Sequence, residues 1–236
     1  MKCSPLFLLT IVLLLLASCK INSKDKEVAT NLFTQIGGGG NVGFVKQTLE
    51  NGIPSSKKFI ELKIDSSSIL NQNGITKSLL ASYCASYLYQ NLEEIRSLEY
   101  EGINILYSDE LFETLEKPYY FEMSELMNIS QISKKLYDFL QSIAYGTDSQ
   151  DFLSKNNDNT EISNINKGIQ TLDSLGLIDP KLIYWFHSRY PENHKYADKF
   201  LIIWVVQLPN NQNIAINFIV NKKNEDDIIC NLEITI

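Results

Sequence analysis

The C-terminal part of this 236-residue chain constrains its fold most strongly, because it has the pattern of four consecutive β-strands. Strand-like runs cover residues 182–190, 200–208, 214–220 and 228–236, and turn-forming residues separate them. Alternation is clearest in the last run, where Cys230, Leu232 and Ile234 are expected to face a core together. The sequence therefore predicts that the last three strands form an antiparallel meander with one buried face.

Two amphipathic helices are predicted ahead of these strands. Their apolar residues recur at three- and four-residue steps, which places them on one face of a helix. The first series is Ile129, Ile132, Leu136, Phe139, Leu140 and Ile143, and the second is Ile162, Ile165, Ile169, Leu172 and Leu175. The second helix would begin with Thr160 as its N-cap and end at Gly176. We expect both helices to pack on the apolar face of the sheet.

The order of elements over residues 126–236 resembles that of the cone-shaped nuclear-transport-factor-two-like and ketosteroid-isomerase-like domains. In these families, helices are followed by an antiparallel sheet. The resemblance implies a curved four-stranded sheet, with a pocket between the sheet and the helices.

Residues 58–125 show a different pattern, in which a helix joins two strands. Ile60, Leu62 and Ile64 alternate with their neighbours, apolar residues recur at helical spacing over 75–92, and alternation returns over 98–107. Two strands joined by a helix are expected to be parallel, with a right-handed crossover. The predicted fold class is therefore α+β: this small α/β unit, followed by helices packed on a curved antiparallel four-stranded sheet at 126–236.

Glycines at 37–40 are expected to end one or two helical turns formed by residues 27–36. We interpret residues 19–57 as a tether followed by a glycine-rich linker. Together with Gly43, the glycines also fit the G-x-G-x-x-G pattern of dinucleotide-binding loops, and Asp65 follows at a suitable distance. The context argues against that alternative, because no β-branched strand precedes the glycines. We therefore expect no cofactor.

The first residues have the pattern of an export signal. Lys2 precedes an apolar run at 6–16, which is shorter than the about 20 residues that a membrane-spanning helix needs. The run ends in Leu-Ala-Ser-Cys at 16–19, which resembles the lipobox of bacterial lipoproteins. The resemblance implies that residues 1–18 are removed and that Cys19 carries the lipid, with acyl chains such as palmitate. The alternative is an ordinary secretory signal that contains a cysteine.

Charge and composition limit the partners. The formal net charge of −7 gives no attraction to phosphate backbones, so we do not expect nucleic acid as a partner. Arg96 and Arg189 are the only arginines, which argues against a dedicated anion clamp. The abundance of Ile, Asn and Lys resembles the composition of many Bacteroidetes proteins.

The expected partners are the membrane, through the N-terminal lipid, and an envelope protein or a small ligand. The expected location is the cell envelope, on the periplasmic or surface face of the outer membrane.

Of the four cysteines, Cys84 and Cys230 remain once Cys3 leaves with the signal and Cys19 is lipidated. In an oxidising envelope they are candidates for a disulfide. Each also lies on the apolar stripe of its own segment, where a buried thiol acts as a small hydrophobic group. Neither has a Cys or His at ligand spacing, so no metal site is expected.

The candidate site lies on the first of the four C-terminal strands. Trp185, His187 and Arg189 alternate along it and are expected to share one face. They are therefore the candidate residues for lining a pocket or binding a ligand. As an acid–base site, His187 would need a carboxylate within hydrogen-bond reach, and Asp198 and Glu233 are the candidates. The alternative is a half-exposed structural face.

No recognisable catalytic motif is present in the sequence. We therefore expect a non-catalytic module that binds a protein or a small ligand at the envelope. The alternative is a pocket enzyme of the isomerase or hydrolase type on the cone-shaped fold. That enzyme would require His187 in a sizeable cavity, with a hydrogen bond to a carboxylate.

Overall fold

The computed structural model describes residues 23–46, 49–50, 53–54, 57–70, 74–92, 100–108, 118–146, 150–155, 157–175, 181–190, 192–208, 210–222 and 228–235. The predicted signal peptide at 1–18 and the predicted lipidation site at Cys19 lie outside these residues.

The described residues form an α+β fold with four α-helices and two four-stranded sheets, which confirms the predicted fold class. In chain order the elements are α1 (Ser23–Gln35), β1 (Gly38–Lys46), β2 (Leu49–Glu50), β3 (Ile53–Pro54), β4 (Lys58–Ser67), α2 (Lys77–Asn91), β5 (Tyr100–Tyr107), β6 (Tyr119–Glu122), α3 (Met123–Ala144), α4 (Asn159–Ser174), β7 (Lys181–Arg189), β8 (Lys199–Gln207), β9 (Asn213–Asn221) and β10 (Ile229–Thr235). A short 3-10 helix, Gln150–Phe152, lies between α3 and α4, and β2 pairs only with β3. None of the described helices combines the length and the hydrophobicity needed to cross a bilayer.

The first sheet has the strand order β1-β4-β5-β6. Its two central strands, β4 and β5, are parallel, with Ile60 opposite Ile103 and Leu62 opposite Ile105. Helix α2 joins them, which confirms the predicted strand, helix, strand unit. Antiparallel strands β1 and β6 extend the sheet on either side.

The glycine run belongs to a strand, so its interpretation as a linker is wrong. Gly37 has a φ of 58° and turns the chain from α1 into β1, which then pairs antiparallel with β4. The pairing register shifts next to Gly40, where a Cβ would lie 2.0 Å from the carbonyl oxygen of Lys63. Glycine is needed there because the two backbones approach too closely for a side chain. The dinucleotide loop is also excluded, since these residues do not lie in a strand-to-helix turn. The predicted tether is wrong from Ser23 onwards, where α1 begins.

Helix α2 lies at the centre of the molecule. Thr76 caps its N-terminus by accepting a hydrogen bond from the Leu79 N–H, and every residue from Leu80 to Ser86 is buried. Its side chains pack on both the first sheet and the β7–β8 side of the second. The buried members of this shared core include Leu32, Ile60, Leu62, Ile64, Leu80, Cys84, Leu88, Ile103, Ile105, Leu126 and Phe186. Burial on both sides explains why every residue from Leu80 to Ser86 is inaccessible, although apolar residues recur only at helical spacing in the sequence.

The second sheet has the order β10-β9-β8-β7, with antiparallel neighbours throughout, which confirms the predicted antiparallel four-stranded sheet. Helices α3 and α4 cover one face. The side chains between them form an inner core that includes Ile129, Leu136, Phe139, Ile165, Leu172, Trp185, Trp204, Ile216, Phe218 and Leu232. Helix α4 begins with a capping box between Asp158 and Glu161, so its N-cap lies two residues before the predicted Thr160.

A bulge in β10 changes the face that Cys230 occupies. The register between β10 and β9 shifts at this residue, so one position of β10 has no direct partner. Leu232 stays in the inner core, whereas Cys230 packs with Tyr196 and Ile219 on the opposite, outer face. The prediction that Cys230 and Leu232 share a face is wrong because a bulge reverses the alternation.

Cys84 and Cys230 are both free thiols, so the candidate disulfide is wrong. Cys84 lies in the core around α2 and Cys230 in the outer cluster, which separates them. Burial raises the pKa of both thiols. They therefore act as small hydrophobic groups, as the alternative interpretation held.

Both edges of the second sheet carry partners from elsewhere in the chain. At the β7 edge, the backbone N–H of His187 donates to the Ser82 hydroxyl of α2 at 3.1 Å. At the β10 edge, Leu153 forms a parallel bridge with Ile229, and the Ser154 N–H donates to the Ile229 carbonyl at 2.8 Å. These contacts tie the sheet to α2 on one side and to the segment before α4 on the other.

Candidate functional site

The three residues of the predicted site share a face of β7, but their surroundings differ. Their cross-strand partners on β8 are Trp204, Ile202 and Phe200, which all belong to the inner core. Trp185 joins that core, His187 is buried near α2, and Arg189 is exposed. The alternation along β7 is confirmed, and the idea of one shared pocket is wrong because Trp185 does not line the cavity that His187 and Arg189 line.

Arg189 is engaged by a carboxylate. Its Nε donates to Oε1 of Glu125 at 2.9 Å, and its Nη2 donates to Oε2 of the same carboxylate, which makes the pair bidentate. Glu125 lies in the first turn of α3, where a negative charge is favourable. Because its guanidinium already binds this carboxylate, Arg189 is poorly placed to hold an anionic ligand as well.

His187 is a buried, neutral imidazole. Only 4% of it is exposed, its Nδ1 lies 3.4 Å from the Ser86 hydroxyl, and its ring meets Phe121 edge to face at 5.5 Å. Burial, with a smaller contribution from the Arg189 charge, lowers its pKa to about 3. Its Nε2 has no hydrogen-bond partner among the described residues.

A cavity of about 210 Å³ lies beside this imidazole. Its lining consists of Ser78, Tyr119, Tyr120, Phe121, Glu125, His187, Ser188 and Arg189. Neither candidate carboxylate contacts His187: Asp198 lies 3.9 Å from Lys199, and Glu233 accepts a hydrogen bond from Asn231. The Ser86 hydroxyl is buried, with 1% of the residue exposed, and Ser86 does not line this cavity. The pair therefore does not present a nucleophile with its base to a substrate there.

A second cavity of about 470 Å³ lies on the outer face of the second sheet, opposite the inner core. We call it the outer cavity. Its floor comes from three neighbouring strands, because Leu201 pairs with Ile219, Ile219 with Asn231, and Asn217 with Glu233. The rest of its lining comes from the β7–β8 loop and α4: Tyr190, His194, Lys195, Tyr196 and Asn164.

Asn231 lines this cavity and holds the Glu233 carboxylate in place. The residue is only 4% exposed, and its Nδ2 donates to Oε1 of Glu233 at 3.1 Å. Its Oδ1 is buried and has no hydrogen-bond donor among the described residues, so a ligand in the cavity does not reach that atom. Asn231 therefore acts on the cavity through Glu233.

Three aromatic rings form one wall of the outer cavity. Tyr190 and His194 stack at 4.5 Å with 9° between their planes, and Tyr196 lies 5.5 Å from Tyr190. A hydrogen bond fixes the His194 ring in this stack, because its Nδ1 accepts the Tyr196 N–H at 3.2 Å. The Tyr196 hydroxyl donates to Glu161 at 3.1 Å, and the Lys195 ammonium lies 4.2 Å from the centre of the Tyr196 ring. Burial raises the pKa of Tyr190 and Tyr196, so both phenols stay neutral.

Sequence reasoning missed the outer cavity. It treated residues 191–195 as a turn, although Tyr190, His194 and Tyr196 place three ring side chains within one short loop. This cluster of ring side chains directly after a strand is the sequence signal that could have indicated a binding site. The contribution of Asn231 was not accessible from the pattern, because it depends on the β10 bulge.

Among the described residues, no group of three or more His, Cys, Asp or Glu side chains is arranged to hold a metal ion. Comparison with known proteins gave no relative, since the chain matches no protein-family model, no curated protein and no solved structure.

Proposed function

We propose that this protein is a lipid-anchored envelope protein that binds a small ligand in the outer cavity. The observation that carries the proposal is the cavity of about 470 Å³, whose lining combines the Tyr190–His194 ring stack with the Glu233 carboxylate that Asn231 holds. Small-ligand sites have volumes of about 300–1,000 Å³ and combine apolar walls with a few placed polar groups. The outer cavity has both.

Three polar groups of the outer cavity belong to rigid elements. Asn217, Asn231 and Glu233 are on paired strands of a sheet whose other face packs against the inner core. A site built on strands needs little ordering when a ligand arrives, which favours binding. The alternative of an isomerase or hydrolase has weaker support, because the described contacts of His187 include no carboxylate.

The ligand site is tested by saturation-transfer NMR of the full-length protein with a set of neutral, anionic and cationic small molecules. We expect at least one class to bind the wild-type protein and to lose binding in Asn231→Ala. Asn166→Ala is the matched control, since Asn166 is exposed on α4 and is not in the lining. If no class binds, or if binding is the same in both variants, the outer cavity is not a ligand site.

The anchor part of the proposal depends on Cys19. Two or more acyl chains at this residue would hold the protein stably at a membrane, whereas one chain would hold it only marginally. The test is mass spectrometry of the N-terminal peptide of the native protein, together with membrane fractionation. The chain offers a matched control, because Cys3 lies inside the predicted signal.

We expect a mature N-terminus at Cys19 with diacylglycerol and acyl additions in the wild type and in Cys3→Ala. Cys19→Ala should lack these additions and should accumulate with residues 1–18 still attached. An unmodified Cys19 in the native protein would refute the anchor, without bearing on the outer cavity.

A further inference from the structure

We infer that the outer cavity takes a neutral, hydroxyl-rich ring, that is, a sugar. This inference rests on the proposed function, since it names the ligand class of the same site. It is argued from the hydrogen-bonding groups, the charges and the ring surfaces of the cavity.

The lining requires a ligand that donates hydrogen bonds. The Glu233 carboxylate, which the Asn231 side chain holds in place, has only acceptors to offer. The amides of Asn164 and Asn217 add both donors and acceptors to the lining. Hydroxyl groups match this set, because each one donates and accepts at the same time.

The charges of the lining favour a neutral ligand. Lys195 and Glu233 carry opposite charges, and no arginine lies in the lining. A cationic ligand would find the Tyr196 ring already covered by the Lys195 ammonium, at 4.2 Å from the ring centre. An anionic ligand would meet the Glu233 carboxylate, which repels it.

The apolar surfaces match the carbon faces of a ring. Leu201 and Ile219 contribute to the floor, and the Tyr190–His194 stack gives a flat aromatic surface at the wall. A sugar ring carries C–H groups on its faces and hydroxyls around its edge. It can therefore lie against the rings while its hydroxyls donate to Glu233.

The probes are glucose, galactose, N-acetylglucosamine and maltose, with glucosamine as the cationic analogue and glucuronate as the anionic one. Binding is measured by saturation-transfer NMR and calorimetry on the full-length protein, in a detergent that has no sugar headgroup. We expect at least one neutral sugar to bind, with affinity reduced tenfold or more by Asn231→Ala and unchanged by Asn166→Ala. Each charged analogue should bind more weakly than its neutral parent.

Glu233→Gln provides a second test that does not depend on replacing a buried residue, because Glu233 is exposed. It removes the charge and one acceptor, and should also weaken sugar binding tenfold. Charged molecules that bind in an Asn231-dependent way, with no sugar binding, would overturn the sugar and leave the proposed site intact. Sugar binding that ignores both variants would place the sugar elsewhere and would also overturn the inference. No binding of any class would refute the site itself.

Discussion

Acidification should destabilise the protein through a single buried imidazole. In the folded chain the pKa of His187 is lowered to about 3, mainly by burial, whereas its ordinary value is 6.5. Below pH 6.5 the unfolded chain therefore takes up a proton at this ring that the folded chain does not. Stability from this residue is complete above pH 6.5 and is lost progressively as the pH falls towards 3.

The size of the effect follows from these two pKa values. Between pH 8 and pH 5, the free energy of unfolding should fall by about 2 kcal/mol because of His187 alone. The nearest charged groups are Arg189, which lowers the pKa further, and Glu125, which Arg189 already binds. No compensating carboxylate is hydrogen-bonded to the imidazole among the described residues.

The assay is urea denaturation at pH 8, 7, 6 and 5 for the wild type, His187→Asn and His194→Asn. His194 is the matched control, because it is the other histidine of the chain and is exposed. The wild type and His194→Asn should lose stability in parallel, and His187→Asn should lose about 2 kcal/mol less over this range. Equal pH slopes for all three proteins would refute the argument. So would an NMR titration in which His187 of the folded wild type takes up its proton near pH 6.5.

Two further predictions concern the packing. Gly40→Ala would place a Cβ 2.0 Å from a backbone oxygen, so it should lower the free energy of unfolding by about 1–3 kcal/mol. Gly43→Ala meets nothing within 4 Å and should change it by less than about 0.5 kcal/mol; equal effects in urea denaturation would contradict the strand register of β1. Cys84 and Cys230 should resist alkylation in the native protein and react after denaturation without reductant, as followed by peptide mass spectrometry. A cross-linked peptide containing both residues would show that they are bridged.

Local patterns predicted the elements of the fold well where one face of an element is buried. The alternation of Ile60, Leu62 and Ile64 identified β4, and the crossover rule gave its parallel pairing with β5. The pattern was less informative for α2, because Ser82 and Ser86 look like solvent-facing positions. Both are buried, since the Ser82 hydroxyl donates to the Leu79 carbonyl and accepts the N–H of His187, while Ser86 contacts the imidazole ring.

The candidate sites depended on contacts that no local pattern contains. Alternation correctly placed Trp185, His187 and Arg189 on one face, but α2 and β6 decide which of them lines a cavity. The outer cavity depends on the β10 bulge and on the folding of the β7–β8 loop over the sheet. The glycine run was misread for a similar reason, because its strand character comes from pairing with β4 and not from its own side chains.

The contacts at the edges of the second sheet bear on how copies of the protein can associate. An open β-strand edge is a template on which another chain can add a strand. Here the Ser82 hydroxyl accepts the backbone N–H of His187, and residues 152–154 pair with the backbone of Ile228 and Ile229. A strand that added at these positions would first have to displace these contacts. They therefore disfavour backbone pairing between copies there, which would matter most for copies held close together by the proposed lipid anchor.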